Sequence, residues 1–274
     1  MRKSILKAKI ILSMTATILI VFMIILSYMM IQSYHRPIKY PLLKNVFNKT
    51  IIETINEDDF MHASYAIISQ QNVMILSDPA FMSKSFLLNP DIITVSHRHI
   101  DHYDKDFVDR THAIKLIMNS SSVNYKNITI YGIAANHAGF FHFNNPDIFD
   151  KNDSDNYIYV YEVDGLRIAH FGDTGQDNLT QEQRAELGDI DIMITKFNNP
   201  VMTFFCSGDK RVFRLIKEVN PKIIIPTHTT RKCLEEYAQR FGSLETVDDV
   251  FLISKEDIRN DTRKIIYIKN NIKY

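Results

Sequence analysis

The chain has 274 residues, of which 45% are hydrophobic and 11% aromatic, enough for a sizeable core in one large domain or two small ones. Its 32 basic and 32 acidic residues give a formal net charge of +0, so no nucleic-acid partner is expected. The two cysteines are too few for a disulfide framework, which excludes the small disulfide-rich secreted scaffolds.

The first predicted element is an apolar helix near the start of the chain. Residues 1–9 form a basic N-terminal tail, and residues 10–31 contain no charged side chain. At about 1.5 Å per residue, such a helix is roughly 33 Å long, enough to cross a hydrocarbon core of about 30 Å. We therefore predict a transmembrane anchor over residues 10–32. A cleavable signal peptide is the alternative, but its apolar region is usually only about 7–15 residues long.

The charges around this helix give only a weak indication of its orientation, because basic residues lie on both sides of it. We predict a single-pass protein of the cell membrane, with a cytoplasmic N-terminus and an extracytoplasmic domain. Residues 33–49, with Pro37 and Pro41, predict an extended linker, and residues 50–274 a folded domain. The sequence leaves the oligomeric state open.

Short apolar runs bounded by turn residues predict strands in the first half of this domain. These runs are Ile51–Ile55, Ser64–Ser69, Val73–Ser77, Ile92–Val95, Ile114–Met118 and Ile128–Ala134. A short helix is predicted after the fourth strand, ending near Thr111, because Asp104 and Asp106 give it an acidic first turn.

The second half repeats this pattern, with strands followed by helices. Strands are predicted at Tyr157–Val163, Leu166–Phe171, Ile190–Thr195, Lys222–Ile225 and Lys264–Ile268, and helices at Thr180–Leu187, Lys210–Val219 and Arg231–Phe241. Asp164-Gly165 predicts a type I′ hairpin turn, and Pro226 is expected to end its strand. The predicted fold class is therefore α+β, with two sheets packed face to face and helices outside.

A dense cluster of possible metal ligands follows the fourth strand, in the segment from His97 to His102. Side chains two positions apart in extended chain point the same way, so His97 and His99 project together. Asp101 and His102 then turn into the start of the helix. Imidazole nitrogen and carboxylate oxygen are ordinary zinc ligands, so this spacing indicates a metal site.

Three later polar residues also follow apolar strands: His137, Asp173 and His228. Taken singly, Asp173 is explained equally well as a turn-capping residue, and each histidine as a hydrogen-bonded core residue. Together they favour a shared site, because the first cluster alone offers too few ligands to close one and strand ends commonly carry functional loops.

The motif His97-x-His99-x-Asp101-His102, with His137, then Gly172-Asp173-Thr174-Gly175 and His228, resembles the metallo-β-lactamase-fold hydrolase superfamily. The resemblance covers about residues 51–268 and implies a four-layer αββα sandwich. Within the family, His62-Ala63-Ser64-Tyr65 and Leu76-Ser77-Asp78-Pro79 are similar to the opening strands of one branch. That branch contains the ascorbate-lactone hydrolases and N-acylphosphatidylethanolamine phospholipase D.

The resemblance implies two divalent cations, zinc by default for such a histidine-rich site, with manganese or iron as alternatives. It implies His97, His99 and His137 as ligands of one cation; Asp101, His102 and His228 as ligands of the second; and Asp173 as the bridge. Two such ions lower the pKa of a shared water and so supply hydroxide at neutral pH. Asp101 would be catalytic, orienting this water and accepting its proton.

We therefore predict a membrane-anchored, metal-dependent hydrolase acting on a small-molecule or lipid substrate. A phosphodiester, including a phospholipid, is slightly favoured over a lactone or another ester. The alternatives are a non-catalytic, metal-stabilised domain that binds a ligand or partner at the cell surface, and a redox protein that holds iron. Lys196 is expected to be a solvated loop residue, with neutralisation of a substrate phosphate or carboxylate as the alternative.

Overall fold

The structure is a computed structural model that describes residues 14–24, 27, 45–55, 63–82, 88–137, 155–198, 209–259 and 262–269. The chain divides into two units, residues 1–37 and 38–274, and the described part of the first contains helix α1, residues 14–24. Among the described residues, no helix combines the length and the apolar character needed to cross a membrane. The anchor predicted over residues 10–32 is described only at residues 14–24 and 27, and the linker predicted over 33–49 only at residues 45–49.

Among its described residues, the second unit contains the strands, four α-helices and a 3₁₀-helix, Lys255–Asp257. The strands are β1 (Thr50–Thr54), β2 (Tyr65–Ile68), β3 (Met74–Ser77), β4 (Ile92–Val95), β5 (Ile114–Ile117), β6 (Ser122–Tyr125), β7 (Ile128–Ala135), β8 (Asn156–Val163), β9 (Leu166–His170), β10 (Ile192–Lys196), β11 (Ile223–Thr227), β12 (Ser243–Asp248), β13 (Val250–Ile253) and β14 (Lys264–Lys269). The helices are α2 (Lys105–Arg110), α3 (Gln181–Leu187), α4 (Lys210–Val219) and α5 (Arg231–Phe241).

These strands form two sheets. The first has the order β13-β1-β2-β3-β4-β5, and the second has the order β12-β14-β11-β10-β9-β8-β7-β6. In the second sheet, β9, β10, β11 and β14 are parallel neighbours, whereas β6 to β9 form an antiparallel meander. Since β7 and β9 are both antiparallel to β8, their carboxyl ends lie at the same edge of the sheet.

The alternation of side chains along each strand produces three apolar layers. Ile52, Ile75 and Ile194 belong to a central core between the two sheets. On the outer face of the first sheet, residues such as Ile93 pack with Phe107 of α2. The outer face of the second sheet packs against buried residues of α3, α4 and α5. The predicted arrangement of two facing sheets with helices outside is therefore confirmed.

The hairpin between β8 and β9 forms at the predicted dipeptide. Asp164 and Gly165 have φ of 51° and 78°, as a type I′ turn requires at both central positions. The Asp164 Oδ2 also accepts hydrogen bonds from the Thr50 hydroxyl (2.7 Å) and the Gln70 amide (2.8 Å). This hairpin therefore ties the second sheet to the first.

The prediction that Pro226 ends its strand was wrong, because β11 continues to Thr227. The Thr227 carbonyl accepts a hydrogen bond from the Phe197 amide on the β10 side, so the Pro226 nitrogen faces the β14 side. The β14 ladder ends at Ile224, so no hydrogen bond is lost at the proline. This continuation places His228 at the sheet edge.

Candidate metal centre

The seven residues predicted as metal ligands come together at one edge of the sandwich. They follow β4, β7, β9 and β11, whose carboxyl ends meet there. One ligand atom from each residue lies within 4.8 Å of every other in its group. The first group is His97, His99, His137 and Asp173, and the second is Asp101, His102 and His228; a third group, Asp78, His97 and His102, overlaps both.

Asp173 belongs to the first group but also faces the second. Its Oδ2 is 3.6 Å from His137 Nε2, in the first group. Its Oδ1 is 3.6 Å from His102 Nε2 and 3.5 Å from His228 Nε2, in the second. The carboxylate therefore presents one oxygen to each group, which is the geometry of a bridging ligand.

The donor atoms of this cluster fit divalent cations. His97 Nε2 and Asp173 Oδ1 are buried, and neither has a hydrogen-bond partner among the described residues. His102 Nε2 and His228 Nε2 are 2.9 Å apart, so only one of these two nitrogens can carry a proton. Buried polar atoms without partners are costly, whereas imidazole nitrogens and carboxylate oxygens that converge in this way are a zinc-type donor set.

The charges within the cluster also favour the binding of a cation. Burial by itself lowers the pKa of His102, but Asp101, Asp78 and Asp173 together raise it to about 9. Burial raises the pKa of Asp173, yet Lys196 and His228 outweigh it and hold this pKa well below its usual range. The buried carboxylates thus stabilise positive charge at this site.

Asp78, which sequence reasoning did not assign to the site, organises two of the histidines. Its Oδ2 lies 2.7 Å from His102 Nδ1 and accepts a hydrogen bond from the Ser96 hydroxyl at 2.6 Å. That hydroxyl is in turn 2.9 Å from His97 Nδ1. A hydrogen bond at one ring nitrogen orients the other nitrogen toward a metal ion, so Asp78 positions both imidazoles. Its place directly after β3, in Ser77-Asp78-Pro79, was the available signal, since the other site residues also follow strands.

Lys196 is not the solvated loop residue that the sequence predicted. It is the last residue of β10, paired with Thr227, and its side chain is 0% exposed. Its Nζ donates a hydrogen bond to the Asp173 carbonyl oxygen at 3.1 Å. Burial lowers the pKa of Lys196, and the nearby Asp173 opposes this shift. The strand continues one residue further than predicted and carries the lysine into the interior.

A cavity of about 370 Å³ opens beside the first group of ligands. It is lined by His97, Arg98, His99, Met118, His137, Asp155 and Tyr157. Arg98 is exposed and has no ion-pair partner among the described residues, whereas Asp155 Oδ1 accepts a hydrogen bond from the His137 amide at 2.6 Å. The cavity therefore places the exposed Arg98 guanidinium beside the first group of ligands.

Comparisons with known proteins identify the family of this chain. A family model described as a beta-lactamase superfamily domain matches residues 59–228. A metal-dependent hydrolase of Thermococcus onnurineus is 26% identical over 186 residues, covering 61% of this chain and 81% of the relative. One from Methanobrevibacter smithii is 25% identical over 200 residues, covering 61% and 78%. The fold is similar to a metallo-beta-lactamase superfamily structure from Thermotoga maritima, with a TM-score of 0.54, 21% identity and coverage of 80% of this chain and 100% of that one.

Proposed function

Since this chain belongs to the metallo-β-lactamase superfamily and is a metal-dependent hydrolase, we propose that it cleaves phosphodiesters at a pair of divalent cations. The observation that carries this proposal is Asp173, whose two oxygens face two separate groups of ligand atoms. Zinc suits these histidine and carboxylate donors, with manganese and iron as alternatives.

In this proposal, His97, His99 and His137 would hold one cation, Asp101, His102 and His228 would hold the other, and Asp173 would be available to both. When bound, such a pair of ions supplies Lewis acidity and lowers the pKa of water. Asp101, whose carboxylate lies in the second group with Oδ2 3.9 Å from His228 Nε2, would orient the attacking water and accept its proton. Asp78 and Ser96 keep the imidazoles of His102 and His97 directed at the site.

The cavity beside the first group supports an anionic substrate. Arg98 lines it next to His97 and His99, and a guanidinium binds phosphate oxygens through two parallel hydrogen bonds. A neutral lactone has no charged oxygens that could accept such paired hydrogen bonds from Arg98. The sequence resemblance to the branch with N-acylphosphatidylethanolamine phospholipase D supports the same substrate class, and the lactone hydrolases of that branch make a lactone the substrate to test against it.

The experiment uses the full chain, purified in detergent and depleted of metal with a chelator. Hydrolysis of bis(p-nitrophenyl) phosphate and of a simple lactone is measured before and after zinc, manganese or iron is restored. We expect metal-dependent turnover of the phosphodiester to exceed that of the lactone. Metal binding without turnover of either substrate would contradict the proposal and favour a metal-stabilised binding domain.

Arg98→Gln separates substrate recognition from metal binding. We expect KM for the phosphodiester to rise by about tenfold, because a charged hydrogen-bonding partner is lost, while turnover of a lactone stays unchanged. Arg231→Gln is the matched control, since the Arg231 side chain is 94% exposed on α5. An equal effect of Arg98→Gln on both substrates would remove the argument for an anionic substrate.

We also propose that residues 10–32 anchor the enzyme in the cell membrane with its domain outside the cytoplasm. The long run without charged residues and the basic tail before it support this proposal. A reporter fused after Tyr274 that is active only outside the cytoplasm is the expected result. Activity only in the cytoplasm would overturn the orientation, and recovery of the full chain in the soluble fraction would overturn the anchor.

A further inference from the structure

Lys196 is exceptional among the charged residues of the domain. It is the one lysine or arginine with a buried side chain among the described residues. Along β10 it has the same parity as Ile192 and Ile194, which belong to the central core between the sheets. Its ammonium group therefore approaches the metal centre from the protein interior, on the side away from solvent.

The charge of this ammonium group is not neutralised by a direct ion pair. Its hydrogen bond goes to a neutral acceptor, the Asp173 carbonyl oxygen, and no carboxylate lies within ion-pair distance of it among the described residues. Burying an unpaired ammonium group costs several kcal/mol, on the order given for isolated buried charges. Some longer-range interaction must offset this cost.

The charges that surround Lys196 identify this interaction. Asp173, Asp209 and Asp101 attract the ammonium group, whereas Arg211 repels it. Two of these three carboxylates belong to the ligand groups of the candidate metal centre, and such negative charges repel one another when no cation separates them. Lys196 thus supplies a fixed positive charge beside the candidate metal centre when no divalent cation is bound.

We propose that Lys196 is a positioning residue that holds Asp173 in its ligand geometry in the metal-free protein, at the expense of the affinity for divalent cations. The hydrogen bond to the Asp173 carbonyl fixes the backbone of the bridging residue. The fixed positive charge balances the buried carboxylates before cations bind and repels the cations once they are present. The centre is therefore preformed but binds its metal less tightly than its ligands alone would allow.

This inference rests on the metal centre of the proposed function, and its test measures metal binding and stability, not turnover. Three variants of the full chain are compared with the unmodified protein. Lys196→Met removes the charge at similar length, Lys196→Arg keeps the charge, and Lys264→Met removes an exposed lysine whose side chain is 47% exposed. The zinc dissociation constant is measured by competition with a chromophoric chelator, and Tm is measured for the metal-free form.

We expect Lys196→Met to lower the Tm of the metal-free protein and to tighten zinc binding by about tenfold or more, since one repelling charge is lost. Lys196→Arg and Lys264→Met should both stay close to the unmodified protein. A lysine with a purely structural role would instead lower the Tm and weaken zinc binding together. Zinc binding that is unchanged or weaker in Lys196→Met overturns the proposal.

If Lys196→Met does not fold without metal, refolding with and without zinc decides the question. The proposal expects zinc to restore the fold, and a variant that zinc does not rescue counts against it. The absorption spectrum of the Co²⁺-substituted protein checks that the ligand set is the same in each variant. If the unmodified protein binds no divalent cation, the proposed function itself fails, which is distinct from a failure of Lys196 to influence binding.

Discussion

The two ends of β11 lie in contrasting environments. Beyond its carboxyl end, His228 joins a cluster in which Asp78 and Asp173 are 0% and 3% exposed. At its start, Ile223 lines a groove of about 550 Å³ that is bordered by Lys264 and other charged residues. There the Lys264–Glu245 pair is 2.9 Å long, and its side chains are 47% and 46% exposed.

This difference indicates which charges are functional. Ion pairs between exposed side chains contribute about 0–1 kcal/mol and are screened by salt, so those around the groove keep the surface solvated. Buried carboxylates without full compensation are unfavourable unless something binds them. The same residue types therefore serve solubility at one end and, at the other, form the candidate metal centre.

The largest effect is expected at a ligand histidine. His99→Ala should reduce kcat/KM for a phosphodiester by about 10³-fold or more, because it removes a ligand of the first group, and it should lower the bound metal per chain. His112→Ala is the control, since this histidine is also exposed but lies outside both groups. Equal activity in the two variants would contradict the assignment of His99 as a metal ligand.

The next largest effect concerns the glycines of two turns at opposite ends of β9. A Cβ on Gly172, which has φ +52°, would lie 2.5 Å from Ser96 Oγ and 2.6 Å from Asn156 Oδ1. Gly172→Ala should therefore lower the free energy of unfolding by about 3 kcal/mol.

The matching change at the other end is Gly165→Ala, where φ is +78° but the atom nearest to an added Cβ, Lys255 Cβ, would be 3.8 Å away. Only backbone strain remains, so we expect a loss of about 1–2 kcal/mol. Urea unfolding of both variants measures the difference. A larger loss at Gly165 would contradict the view that the turn at the metal centre is the more tightly packed.

A smaller effect is expected when the carboxylate that orients the histidines is made neutral. Asp78→Asn keeps the shape but loses the charged acceptor for His102 Nδ1, so metal affinity should fall by about 10–100-fold. Asp257→Asn, in an exposed pair with Lys49, should leave metal affinity unchanged. Isothermal titration with zinc compares the two, and equal affinities would remove the role given to Asp78.

The smallest effect is expected at the groove. Lys264→Met breaks the exposed pair with Glu245 and should change the free energy of unfolding by less than about 0.5 kcal/mol. The difference should shrink further in high salt, because exposed charges are screened. A loss above about 1 kcal/mol would mean that charges at this end are also structurally important.

Local patterns were sufficient to predict most buried elements of the domain. Strands β4, β9 and β10 formed from local apolar runs. Helix α3 also depends on neighbouring residues, because Thr180 and Gln183 form its capping box. Strands β6 and β12 were missed: β12 is largely exposed and lacks the apolar alternation that marks a half-buried strand, whereas β6 does alternate, with Val123 and Tyr125 packed against the central core. Their pairing with β7 and β14 is a tertiary property.

The sequence by itself determined which residues could form the site, because ligand side chains placed just after apolar strands meet wherever those strands end together. Only the tertiary structure decided how they are supported. Asp78 approaches His102 from a different strand end, and Lys196 enters the interior because β10 and β11 pair as far as Thr227. Hydrogen bonds and burial between distant segments depend on how the sheets pack, and no local pattern encodes that packing.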